Sequence, residues 1–306
     1  MPLYFFLVDM GGCGYHVACV TNRVKPSSLI SQRAEKMNSA QATHSYTLFE
    51  RLFKMGWVFF VLPVAVFGIQ HLIYAASAGK TGLGPPWTPV QPLWAYVFGA
   101  LLLVLTVGIA TGKYARVAAT LLGVLILVRV LVVYVSGLVA NVRDPGNWTS
   151  GFELLALCGA SLVLAASVRN DRQSIQLPES FLRSIGGLGR YLFAVALIVF
   201  GIQHLQYAAF IATLIPNWIP AHIFWAYFVG VAFFGASLSI VSRIQARLST
   251  GLLAVMFFLW VLVLHIPRVV AAVQGSNEWT STLVALAMAG GALILRDSEP
   301  ANNSGV

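Results

Sequence analysis

The chain has 306 residues, of which 58% are hydrophobic and 9% charged, with a mean hydropathy of +0.80; a soluble globular chain carries about 25% charged residues. These values exclude an ordinary water-soluble domain and point to an all-α integral membrane protein. The net charge of +9 is no signal of nucleic-acid binding, because the basic residues are dispersed over short loops and not gathered on one soluble module.

Residues 1–45 precede the first long apolar stretch. MPLYFFLVDM has too short an apolar run and too little leading charge for a signal peptide. The stretch from Gly11 through Lys36 has neither helical nor strand period, so the segment reads as a cytoplasmic tail or as sequence ahead of a true start at Met37. Cys13, His16 and Cys19 fall here, three ligand types without a fourth, and no metal site is assigned. With Cys158 inside an apolar stretch, no disulfide is expected.

About 20 residues rising 1.5 Å each cover a hydrocarbon core of ~30 Å. Eight stretches qualify: 57–78, 91–111, 115–140, 152–168, 191–214, 222–241, 248–273 and 282–295. Arg51, Lys54, Lys113, Arg116, Arg169, Arg172, Arg183, Arg190, Arg243, Arg247 and Arg296 sit at one set of ends, against Lys80, Arg143 and Arg268 at the other. The positive-inside rule then places both termini in the cytoplasm, with the chain multi-pass in the cell (plasma or inner) membrane.

The stretch FGIQHLIYAA at 67–76 returns as FGIQHLQYAA at 200–209, and the match continues. PPWTPVQPLWAYVFG from Pro85 corresponds to PNWIPAHIFWAYFVG from Pro216, Arg116 to Arg247, and NWTS at Asn147 to EWTS at Glu278. The expected architecture is eight transmembrane helices in two parallel-repeat four-helix bundles. The first repeat covers 46–168 and the second 190–296, joined by a charged, proline-bearing cytoplasmic linker at 169–189 and followed by a disordered tail at 297–306. Each unit crosses four times, so the repeats are parallel, related by an axis along the membrane normal. Prolines around Trp87 and Trp218 forbid regular helix, and each such stretch is expected to form a rigid interfacial hairpin at the outer face.

Rise per residue sets depth. His71 lies 14 residues beyond Trp57 and Arg129 lies 14 beyond Ala115, which places both ~21 Å from the cytoplasmic end. Glu153 enters the fourth stretch from the outer side, and Tyr74 follows His71 on the same helical face. Charges facing lipid are costly, so Arg129 and Glu153 are expected to face inward and to pair with each other and His71. The predicted polar pocket of the first bundle is Gln70, His71, Tyr74, Arg129, Tyr134 and Glu153. The second keeps Gln203, His204 and Tyr207, replaces Arg129 by Trp260 and Glu153 by Val284, and adds His265 and Arg268, with Pro267 expected to loosen the helix. The same Gln and His residues also serve plain helix packing, and that reading stays open.

A glycine and histidine in the first helix, the PxWxP loop, FWAY..G opening the second helix and a basic residue ahead of the third resemble the DoxX-like membrane proteins. The motif matches are Gly68, His71, Trp87, Pro89, Trp94 and Gly99, with Gly201, His204, Trp218, Pro220, Trp225 and Gly230. Members of that family are typically single four-helix modules, so this chain reads as a tandem duplication. The resemblance implies a subunit that supports a membrane oxidoreductase through a redox partner protein and a quinone. A binding site for such a ligand also agrees with apolar walls bearing a few convergent polar groups. His71 or His204 would then hydrogen-bond a quinone carbonyl, assisted by Tyr74 or Tyr207, with Arg129 stabilising developing negative charge. Two other readings stay open: lipid or small-solute handling without redox chemistry, and haem ligation by His71 and His204. There is no phosphate loop, dinucleotide fingerprint, metalloprotease helix or paired CxxC to support an autonomous soluble-type mechanism.

Overall fold

The computed structural model describes residues 54–74, 91–168, 175–272 and 276–300. All regular structure among them is helical. Eight helices are long and apolar enough to cross a membrane, and the chain is an all-α multi-pass membrane protein. They are α1 (Gly56–Tyr74), α2 (Gln91–Ala110), α3 (Ala115–Ala140), α4 (Pro145–Ser167), α5 (Glu179–Gln206), α6 (His222–Ser242), α7 (Ala246–Ala271) and α8 (Ser276–Ser298). A short helix, Ala208–Leu214, follows α5. Residues Glu50–Val306 form one compact unit. The segment Met1–Phe49, with Cys13, His16 and Cys19, lies outside the described residues, as do Trp87 and Pro89.

Several boundaries differ from the hydropathy reading, each for a local reason. Helix α4 starts at Pro145 and not at 152, because the Asp144 carboxylate accepts from the Gly146 N–H at 2.9 Å and the proline occupies the first turn. Helix α5 starts at Glu179, inside the segment read as linker, behind Pro178. Its first-turn carboxylate is held by Arg116 at 2.8 Å. The helix stops at Gln206, where Tyr207 leaves helical geometry (φ −110°) and separates Ala208–Leu214 from it. At the other terminus, Asp297 and Ser298 complete α8 and Glu299 is buried, 9% exposed, against Arg190 (Nε to Oε1 3.3 Å). The segment read as a tail from 297 is therefore packed through Glu299.

Helix pairing follows small residues, as expected where lipid is as apolar as leucine and close backbone approach decides association. A Cβ on Gly68 would meet the Gly99 carbonyl at 3.0 Å, joining α1 to α2, and one on Gly230 would meet the Gly201 carbonyl at 3.3 Å, joining α6 to α5. Gly159 faces Gly189 across α4 and α5, while Gly290 faces Gly56 and Phe60 across α8 and α1. The packed pairs form a ring, α1 through α8 and back to α1, with α4 and α8 also packed on each other across the middle. The two four-helix segments are thus interlocked. Each first helix lies between its own second helix and the fourth helix of the other segment, and α4 and α8 make up the shared centre.

At the basic end of the bundle, Arg116 donates from Nε to the Val168 carbonyl at 3.0 Å, and Arg247 from Nη1 to the Glu299 carbonyl at 3.4 Å. An arginine at the start of each third helix therefore caps the last carbonyls of the fourth helix it packs against.

Candidate functional site

In the first segment the site is built on α1, α2 and α3. His71 donates from Nδ1 to the Phe67 carbonyl at 2.8 Å. A carbonyl oxygen only accepts, so the proton of the neutral ring sits on Nδ1 and Nε2 keeps its lone pair. That Nε2 is buried without a hydrogen-bond partner among the described residues. Glycine at position 99 lets α2 pass directly over the histidine, since a Cβ there would lie 2.9 Å from that of His71. The preceding residue, Phe98, places its ring centroid 5.1 Å from the imidazole.

The same ring receives Arg129, whose Cζ stands 5.1 Å from the Phe98 centroid while the residue is only 6% exposed. A desolvated cation over a phenyl face is stabilised by about 2 kcal/mol. Arg129 also lies within electrostatic reach of Tyr134 and His71. In a regular α-helix two positions five residues apart point about 140° away from each other. Here Val130–Val135 is a π-turn, and its wider winding brings Tyr134 back over Arg129. His71 and Arg129 thus meet at one phenyl ring, while Tyr134 packs on Gly151 of α4.

Glu153 does not join them. Gly151 is the residue of α4 that meets Tyr134, and two positions further the helix has turned about 200°, so Glu153 points away from α3. It lies one turn beyond Thr149, on the face whose Thr149 bonds Gln203 of α5. Among the described residues Glu153 makes no hydrogen bond or ion pair, and the expected Arg129–Glu153 pair is not formed. Gln70 is half-buried beside His71. Tyr74 ends α1, and its side chain lies outside the described residues.

The second segment repeats the framework with different contents. His204 donates from Nδ1 to the Phe200 carbonyl at 2.8 Å and sets its ring edge-on to Phe233 at 5.2 Å. Gln203 is taken up by packing: its Nε2 donates to Thr149 Oγ1 at 3.0 Å and to the Pro145 carbonyl at 3.3 Å, tying α5 to the start of α4. Tyr207 forms the C-terminal boundary of α5. A second π-turn, Val261–His265, follows Trp260 at the point corresponding to the first one. Pro267, expected to loosen this helix, lies in the first turn of the helical stretch after the π-turn.

Arg268 donates from Nη2 to Glu278 Oε1 at 2.9 Å, and His265 lies near both. His265 Nδ1 and Glu278 Oε2 are buried without a hydrogen-bond partner among the described residues. Arg268 also lines a cleft of about 420 Å³ with Thr213, Asn217 and Pro267. Next to it, between α6 and α7, runs an apolar groove of about 740 Å³.

Family models, curated proteins and solved structures yield no match to this chain. His71 rests on Phe98 in one segment and His204 on Phe233 in the other, and α1 and α5 are not a packed pair among the described residues; the two rings do not flank one space as the axial ligands of a haem must. No group of three His, Cys, Asp or Glu among the described residues is placed to hold a metal ion. Sequence reasoning missed Phe98, the residue on which His71 and Arg129 meet. Its place just before Gly99, opposite His71, was the available signal. It also missed Glu278 as the partner of Arg268, having used EWTS only as a repeat marker.

Proposed function

We propose that this chain is a DoxX-like tandem duplication that binds a lipid-soluble redox ligand of the quinone class and serves as a subunit of a membrane oxidoreductase. Both termini face the cytoplasm of the cell membrane in this reading, and the polar set of the first segment lies toward the outer face. Such a ligand, when bound, carries two electrons and two protons. The observation that carries the reading is the buried Nε2 of His71, a hydrogen-bond acceptor left without a donor in an apolar wall and set beside a guanidinium. An unsatisfied buried acceptor costs about 1–3 kcal/mol, which a ligand hydroxyl recovers. His71 therefore recognises the hydroxyl of the reduced form, and Arg129 donates to a ring oxygen.

Lipid handling without redox chemistry is the second reading, and the α6–α7 groove favours it. The test is binding of a short-tailed quinol to the purified full chain in lipid nanodiscs. His71→Ala and Arg129→Gln are each expected to weaken binding about 10-fold, as loss of one hydrogen bond of ~1.4 kcal/mol implies. Unchanged affinity in both variants, together with the absence of quinone from protein purified in mild detergent, overturns the proposal.

A further inference from the structure

The first and second segments align at an offset of 131 through the second and third helices, Trp94 with Trp225 and Arg129 with Trp260. On that alignment the α6 wall of the groove is formed by Trp225, Phe228, Val229, Ala232, Gly235 and Ala236. Their counterparts on α2 are Trp94, Val97, Phe98, Leu101, Val104 and Leu105, of which the last four are larger. A Cβ added to Gly235 meets nothing within 4 Å. From Val229 to Ala236 the α6 face thus carries less side-chain volume than the matching stretch of α2.

Its far wall is one stripe of α7, in which Leu248, Leu252, Met256, Leu259, Trp260 and Val263 all line the space. From Leu248 to Val263 is ~22 Å of helix at 1.5 Å per residue. Half of a ~30 Å hydrocarbon core is ~15 Å, so the groove is longer than the chain region of one leaflet. The stripe continues through Leu264, Pro267 and Arg268 into the cleft, and one loop borders both spaces, Pro216 and Asn217 on the cleft side, Trp218 and Ile219 on the groove side. At the polar end the Arg268 cation is already neutralised by Glu278, while Thr213 and Asn217 offer hydrogen bonds. That combination favours an uncharged head over a phosphate.

We propose that the second segment holds one long, uncharged isoprenoid-chain lipid, its tail along the α6–α7 groove and its hydroxyl- or carbonyl-bearing head in the cleft beside Arg268. The inference rests on the ligand class proposed above but not on the first-segment site, so the chain has two binding positions of different kind: one that reads a ring, and one that measures a tail. A bilayer phospholipid differs in both respects, having a shorter chain and a charged head.

The experiment counts ligands by native mass spectrometry on the full chain and measures affinity in nanodiscs. The probes are a quinone with a long polyprenyl tail, the same ring with a short tail, and phosphatidylglycerol as competitor. Wild type is expected to bind two long-tailed molecules and one short-tailed one. The double variant Ala232→Leu/Gly235→Val, which restores the residues of the first segment, keeps the short-tailed site and loses one long-tailed molecule. Asn217→Ala with Thr213→Val, which leaves the groove intact, weakens long-tailed binding at the groove about 10-fold. His71→Ala weakens the short-tailed site about 10-fold and leaves the groove occupied. If His71→Ala changes nothing while the groove variant abolishes a single long-tailed molecule, the ring site fails and the groove proposal stands. Equal long-tailed stoichiometry in wild type and groove variant overturns it, as does displacement of the long-tailed probe by equimolar phosphatidylglycerol.

Discussion

The two halves of this molecule share one framework and divide its contents. In the first, the second helix carries larger side chains at four of the matching positions and the third carries a buried guanidinium on Phe98. In the second, the corresponding positions hold Trp260 and Val229, which line an apolar groove. Polarity and free volume are alternatives here because each needs what the other removes. A buried cation needs a packed aromatic face and a hydrogen-bond partner close by; a tail site needs small residues and no charge to desolvate. What the halves keep in common is framework: the histidine bonded to the carbonyl four residues back, the π-turn in the third helix and the arginine that caps the fourth.

Transplanting the difference is the strongest way to break that comparison. Trp260→Arg places a charge on the groove wall without the ring that receives Arg129, and is expected to cost about 3 kcal/mol in equilibrium unfolding in mixed micelles. Adding Val229→Phe should recover about 1 kcal/mol, as a cation over a phenyl face does. Next in size is Glu278→Gln, which removes the carboxylate from Arg268 and is expected to cost about 1–2 kcal/mol, since the pair is partly exposed. Its counterpart control is Glu153→Gln, which should leave stability unchanged or raise it, because this carboxylate has no partner among the described residues. Arg116→Gln and Arg247→Gln probe the shared framework and are each expected to lower stability by about 1 kcal/mol; a large inequality between them would show that the two ends are not equivalent. A similar effect, about 1 kcal/mol, is expected for Gln203→Ala, which removes two interhelical hydrogen bonds worth about 0.6 kcal/mol each.

All eight crossings were legible in the sequence, because hydropathy over 20 residues is a strong signal. Ends were less so: α4 begins in a polar, proline-capped turn that hydropathy discards, and α5 continues past the membrane as an Arg- and Glu-bearing helix. Depth was also legible. His71 and Arg129, placed at one level by counting residues, do meet at Phe98. Direction was not, where the backbone departs from 3.6 residues per turn: only the π-turn puts Tyr134 over Arg129, and nothing in VLVVYV announces it. Glu153 is the opposite case, since counting from the position facing Tyr134 would have turned it away. Which helices pair could not be read from apolar pattern, because Leu and Val face lipid and protein alike. Gly159, Gly189 and Gly290 held that information in their small size.

The closed ring of helices has a consequence for biosynthesis. Helix α1, which leaves the ribosome before α8, is clasped by it. Until translation of the α8 segment is complete, the glycine-bearing edge of α1 stays without its neighbour, and a chain stopped after α4 has its shared centre only half made. The helices therefore stand as an open arc until α8 is present to close the ring.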